Sequence, residues 1–106
     1  MSQPDNNNGN PNKNGWPGMI LPYRDIWPKI HEDAFIAPNA VIIGDVEIGT
    51  GAGIWFNCMI RGDMNQIRIG ENTNIQDGTI IHIDSRTLPT IIGDNVTVGH
   101  MCLLHA

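Results

Sequence analysis

The sequence predicts an all-β protein, a parallel β-helix whose coils are triangular in cross-section. An aliphatic residue recurs at every sixth position, and a small or β-branched residue usually follows it four positions later. Twelve glycines and seven prolines among 106 residues argue against long helices. A period of six fits neither an α-helix nor a simple alternating strand. It is typical of a β-helix with one hexapeptide per side.

The aliphatic series has eleven members and slips twice, by three residues after the fifth member and by five after the eighth. Its members are Ile36, Ile42, Ile48, Ile54, Ile60, Ile69, Ile75, Ile81, Ile92, Val98 and Leu104. We expect every member to point inward, because stacked coils then bury a continuous core. Three hexapeptides form one coil, so that residues one coil apart lie about 4.8 Å from each other.

Composition and charge limit the remaining organisation. Residues 1–19 are rich in Asn, Gly and Pro and are predicted to be a disordered tail, and residues 20–106 form the β-helix domain. The net charge is −5 and the six Lys and Arg residues do not cluster, which argues against nucleic acid as a partner. Neither a membrane-spanning run nor a secretion signal is visible, so a cytoplasmic location is expected.

The two cysteines are predicted to remain free. The register places Cys58, Thr79 and Cys102 in one inward column, with the two thiols separated by two coils. That separation is about 9–10 Å between Cα atoms, which is too far for a disulfide.

Three histidines have the spacing of a metal site. Arg61, His82 and His105 each follow an inward residue of the second side, so they form one outward column. His82 and His105 are then about 5 Å apart at the backbone, close enough to share an ion. His100 lies near the corner of the first side, above Asp77. Three neutral imidazoles with one open position form a catalytic zinc set.

The competing interpretation is that these are ordinary surface histidines, which is how His31 is interpreted. His100 leaves a different side of the prism from the other two, so one chain would not aim all three at one ion. We therefore expect the metal to lie between subunits of a cyclic trimer.

The segment 20–106 resembles the γ-class carbonic anhydrases and their hexapeptide-repeat relatives. The matching motifs are Arg61-Gly62-Asp63, Asn74-Ile75-Gln76-Asp77-Gly78, Ile81-His82 and Val98-Gly99-His100-Met101-Cys102-Leu103-Leu104-His105. The resemblance implies a left-handed β-helix, a homotrimer, and Zn²⁺ between subunits, with Fe²⁺ or Co²⁺ as alternatives. It makes His82, His100 and His105 the metal ligands.

The same resemblance assigns roles to other residues in the hydration of carbon dioxide to bicarbonate. Gln76 would orient the attacking hydroxide and Asn74 would help to place the substrate. Arg61, Asp63 and Asp77 would form an ion network across the interface, with Arg61 also near the product anion. A purely structural ion pair is the alternative for Arg61 and the aspartates.

Two features depart from the family pattern. Met64 follows the Arg-Gly-Asp motif where well-studied members carry proton-relaying glutamates nearby, and Asp84 is the candidate proton shuttle after His82. The sequence also stops directly after the last ligand, whereas relatives continue with further coils and a covering helix, so we expect a fragment. The alternative functions are a hexapeptide-repeat acyltransferase or thioesterase, and a non-catalytic trimeric scaffold pinned by its metal.

Overall fold

The computed structural model describes residues 18–84 and 86–106. This part of the chain contains eleven strands and no helix. The strands are β1 (Met19–Leu21), β2 (Lys29–Ile30), β3 (Phe35–Ile36), β4 (Val41–Ile48), β5 (Gly53–Ile54), β6 (Met59–Ile69), β7 (Asn74–Ile75), β8 (Ile80–His82), β9 (Thr90–Ile92), β10 (Thr97–Val98) and β11 (Leu103–His105). Most of the predicted tail, residues 1–17, lies outside the described range.

The strands stack in parallel into three walls. The first wall pairs β3, β5, β7 and β10. The second wall pairs β1, the first half of β4, the first half of β6, β8 and β11. The third wall pairs β2 and β9 with the second halves of β4 and β6, which bend around the corner. The prediction of an all-β, parallel β-helix is confirmed.

The core lies along the axis of the prism and is made of the predicted aliphatic series. Every member of that series is buried except Ile92 and Leu104, which are partly buried and pack against the same cluster. Ile60 stands opposite Ile81 on the next coil, as the period of six requires. The two cysteine thiols are free, as predicted. Burial raises the pKa of the Cys58 thiol.

The core begins one coil earlier than the series predicts. Ile20 stands opposite Ile42, and Ile30 stands opposite Ile48. Ile30 precedes Ile36 by six residues, so the sequence held a signal for it. Ile20 is displaced from that spacing by a tight turn in which the backbone amides of Tyr23 and Ile26 donate to each other's carbonyls.

The first slip in the series is a bulge on the strand that carries the candidate site. Gly62 pairs with Gly44 and Ile67 with Val46, so β6 holds three more residues than β4 between these pairs. The extra residues bend outward at the corner between the second and third walls and carry Asp63 away from the regular ladder.

Asparagine forms several of the corners between walls. Asn57, Asn72 and Asn95 have φ values of 63°, 54° and 57°. This left-handed region is accessible to asparagine at lower cost than to most residues, because its short side chain bonds to nearby backbone.

Residues 18–84 and 86–106 contain no helix that is long and apolar enough to cross a membrane.

Candidate metal centre

The predicted outward column is present on the second wall. His82 stands opposite Arg61 on one neighbouring coil and opposite His105 on the other. The two imidazole rings are stacked, with centroids 5.3 Å apart and planes 26° from parallel. The strand register therefore holds two potential metal ligands side by side without any loop to position them.

Asp63 connects this column to the bulge. Its Oδ2 accepts a hydrogen bond from Arg61 Nη1 at 2.8 Å, and its Oδ1 lies 2.9 Å from His82 Nε2. Burial acts to raise the pKa of Asp63, but the hydrogen bond from His82 and the charge of Arg61 outweigh it and lower the pKa overall. Asp63 is therefore a carboxylate at neutral pH.

The charge on Asp63 sets the proton position on His82. An ionised carboxylate can only accept, so His82 Nε2 carries a proton in this arrangement, and in the neutral ring the lone pair is then on Nδ1. Carboxylates commonly orient metal-binding histidines in this way. An ion can bind Nδ1 with the hydrogen bond intact, or Nε2 after Asp63 has turned away.

His100 lies apart from the stacked pair. It is at the corner after β10, where its side chain is 67% exposed and its Nδ1 is 3.7 Å from Asp77 Oδ1. Within residues 18–84 and 86–106, no three His, Cys, Asp or Glu side chains are arranged around one point. One chain thus brings together two of the three predicted ligands, and the donor types suit zinc.

The other predicted site residues fall on two surfaces. Asn74 and Gln76 point outward from the first wall, on either side of the buried Ile75. Asp77 faces His100 and does not contact Arg61 within one chain. Asp84 is exposed two residues after His82. The roles assigned to these residues remain predictions.

An apolar column borders the histidines on the second wall. It consists of Met19, Val41, Met59, Ile80 and Leu103, one residue from each coil. Leu103 is 70% exposed and Ile80 is 46% exposed. Exposed apolar surface of this kind marks a protein contact more often than a solvated face.

Two features of the site were not predicted. One is the contact between Asp63 and His82, for which the slip of three in the repeat was the only signal. The other is an open cleft of about 300 Å³ beside Asp63, lined by Tyr23, Arg24, Met64 and Arg86. The cleft depends on the early turn at residues 23–26 lying against the bulge, which the repeat alone does not specify.

These observations define the class of protein as a hexapeptide-repeat β-solenoid with a pair of metal-type ligands on one wall. The family model described as "Bacterial transferase hexapeptide (six repeats)" matches residues 28–62. "Gamma carbonic anhydrase 2, mitochondrial" of Arabidopsis thaliana is 52% identical over 83 residues, which are 74% of this chain and 30% of that protein. "Carbonic anhydrase" of Geobacillus kaustophilus is 50% identical over 88 residues, covering 83% of this chain and 48% of that protein.

A solved structure is similar as well. The "hexapeptide transferase family protein" from Anaplasma phagocytophilum has a TM-score of 0.78 and 49% sequence identity, covering 83% of this chain and 51% of that one. The chain thus spans between 30% and 51% of the length of these relatives. Its sequence is similar to those of γ-carbonic anhydrase-like hexapeptide-repeat proteins.

Proposed function

We propose that the chain is the site-bearing part of a zinc-dependent carbonic anhydrase that interconverts carbon dioxide and bicarbonate as a homotrimer. The observation that carries this proposal is the stacked pair of His82 and His105, oriented by Asp63, on a wall that also displays an apolar column. Relatives named carbonic anhydrase at 50% and 52% identity support it.

The ion would be held by His82 and His105 of one subunit and by His100 of a neighbour. The divergence of His100 from the pair within one chain supports the shared site. When bound, zinc lowers the pKa of water to about 7, which supplies hydroxide near neutral pH.

The residues of the chain supply orientation and charge. Asp63 orients the ring of His82 and is itself held by Arg61, so an ion that binds Nδ1 of His82 would meet a ring that is already ordered. The Arg61 side chain is 46% exposed, and its guanidinium group would keep donors available for the bicarbonate anion. Gln76 and Asn74 offer carboxamide groups from the first wall for orienting hydroxide and substrate.

The second candidate is acyl transfer or thioester hydrolysis, which the name of the Anaplasma relative favours. That chemistry needs a histidine that is free to act as a base. Outside the three candidate ligands, the described histidine is His31, whose Nδ1 contacts Asp33 Oδ1 at 2.7 Å on an exposed corner. Asp33 also accepts hydrogen bonds from Thr50 and Gly51 in the adjacent turn, so the contact between His31 and Asp33 is interpreted as structural.

The test is stopped-flow hydration of carbon dioxide by the zinc-loaded oligomer, before and after removal of the metal. We expect a rate that disappears with the metal and returns with zinc. Gln76→Ala should slow hydration while zinc content and oligomeric state stay unchanged. An active transferase, or a metal-loaded trimer with no hydration at all, would exclude the proposal, the latter in favour of a scaffold.

A further inference from the structure

Trp55 lies across the first wall beside two of the proposed site residues. It follows Ile54, which stands opposite Ile75, so the register places Trp55 next to Gln76 on the adjoining coil. Its ring packs against Phe35, with centroids 4.9 Å apart and planes inclined by 46°. A large aromatic group is thus fixed where the substrate-handling amides emerge.

The indole of Trp55 settles the orientation of Asn74. Trp55 Nε1 donates a hydrogen bond to Asn74 Oδ1 at 3.0 Å. An indole N–H can donate but cannot accept, so the amide atom that it meets must be the oxygen. Nδ2 is then the end of the carboxamide that remains available, and no side chain or carbonyl in the described ranges accepts from it.

Gly53 provides the space in which this hydrogen bond forms. A Cβ atom at Gly53 would lie 2.7 Å from Asn74 Oδ1 and 2.9 Å from Trp55 Nε1. Both distances are shorter than real Cβ contacts, so any larger residue would push the partners apart. The glycine is not required by backbone conformation, because its φ is not positive. Glycine is needed at this position because it has no side chain to block the hydrogen bond between Trp55 and Asn74.

We propose that Trp55 is a positioning residue that locks Asn74 with its amide N–H₂ group directed away from the indole, as a hydrogen-bond donor to the anionic oxygen of bicarbonate. This inference rests on the proposed function and deepens it, since it assigns Asn74 the role of donor and Trp55 the role of its support. Gly53 supports both residues by leaving space for the hydrogen bond between them.

The test compares Trp55→Phe and Gly53→Ala with Trp27→Phe, a matched change on the connection between β1 and β2. Bicarbonate is titrated into the zinc-loaded oligomer and followed at the side-chain ¹⁵N–H₂ signal of Asn74, identified by its loss in Asn74→Asp. We expect binding about three- to tenfold weaker in the first two variants, the range for one hydrogen bond. Trp27→Phe should bind as the wild type does.

Steady-state dehydration of bicarbonate gives a second readout. KM should rise about as much as binding weakens in Trp55→Phe, with a smaller change in kcat, because the lost interaction is to the bound anion. Unchanged bicarbonate binding in Trp55→Phe, or an equal effect in Trp27→Phe, overturns the inference.

A third measurement separates the positioning role from the proposed activity. Hydrogen exchange at Trp55 Nε1 should be about three- to tenfold faster in Asn74→Ala than in the wild type, whether or not the protein hydrates carbon dioxide. An unchanged exchange rate would show that the hydrogen bond itself is not formed. A protein with protected Trp55 and no hydration would instead refute the proposed function alone.

Discussion

His82 and His105 occupy matching positions on neighbouring coils, with their rings 5.3 Å apart and nearly parallel. The spacing between coils fixes this relationship, so it does not depend on a flexible loop. Two imidazole rings this close together can supply two ligands to one ion. The third predicted ligand leaves from another surface, and this asymmetry has a direct experimental consequence.

Mixing subunits should restore a metal site that neither variant has alone. His82→Ala and His100→Ala are each expected to bind zinc more than about 100-fold more weakly, beyond the 10- to 100-fold typical of residues that only support ligands. A mixed trimer should regain one site, because the intact pair in one subunit meets the intact His100 of the other. Zinc content after refolding the mixture and desalting measures this.

The matched mixture is His82→Ala with His105→Ala. It contains no subunit with an intact pair, so it should stay free of zinc. Equal zinc recovery in both mixtures would contradict a site shared in this way, and so would recovery in neither.

Removing part of the central core should destabilise the coil without touching the site. Ile60 is fully buried, and Ile60→Ala should lower the free energy of unfolding by about 2–5 kcal/mol, since closely packed neighbours cannot fill the cavity. Ile91 is 62% exposed on the third wall, so Ile91→Ala should change it by less than about 0.5 kcal/mol. Urea denaturation of the two variants makes the comparison, and similar losses would mean that the inward register is wrong.

Acid should remove the stabilisation that Asp33 provides. Its carboxylate accepts hydrogen bonds from Thr50 Oγ1 and the Gly51 amide on the next coil, and these bonds lower its pKa below the ordinary value of 3.8. A lowered pKa in the folded state means that stability is present above pH 3.8 and is lost as the pH falls through the lower, folded value.

Asp33→Asn should therefore lower Tm at pH 7, and the difference from the wild type should shrink below pH 3.8. Glu32→Gln is the control, because Glu32 is an exposed neighbouring acid that forms no ion pair or side-chain hydrogen bond within residues 18–84 and 86–106. A difference in Tm that stays constant from pH 7 to pH 2 would show that the loss does not come from the charge of Asp33.

The period of six was sufficient to predict the core and the histidine column, because coil spacing converts sequence distance directly into spatial position. Ile60, Ile81 and His82 lie where the register places them. The same reasoning could not place Ile20, since the connection before Ile30 is not six residues long and a turn of arbitrary length precedes it.

The contacts that shape the site depend on details beneath the repeat. The slip of three gave the length of an insertion but not the direction in which Asp63 turns toward His82. The bond between Trp55 and Asn74 runs diagonally across two columns and needs the empty space above Gly53. Whether His100 completes the metal site depends on a second copy of the chain, which the register of one chain does not specify.

The apolar column on the second wall should hold the trimer together and, with it, the metal. Ile80 is 46% exposed and lies next to Leu103, which is 70% exposed. Ile80→Glu would place an unpaired carboxylate in the proposed interface, which is unfavourable because the charge loses its hydration there. We expect assembly to need at least about tenfold more protein, equivalent to about 1.4 kcal/mol. Zinc binding should weaken in parallel, because each proposed site needs two subunits.

Light scattering coupled to gel filtration measures the assembly, and Ile91→Glu on the third wall is the matched control that should remain trimeric. A trimeric, zinc-loaded Ile80→Glu protein would place the interface on another wall.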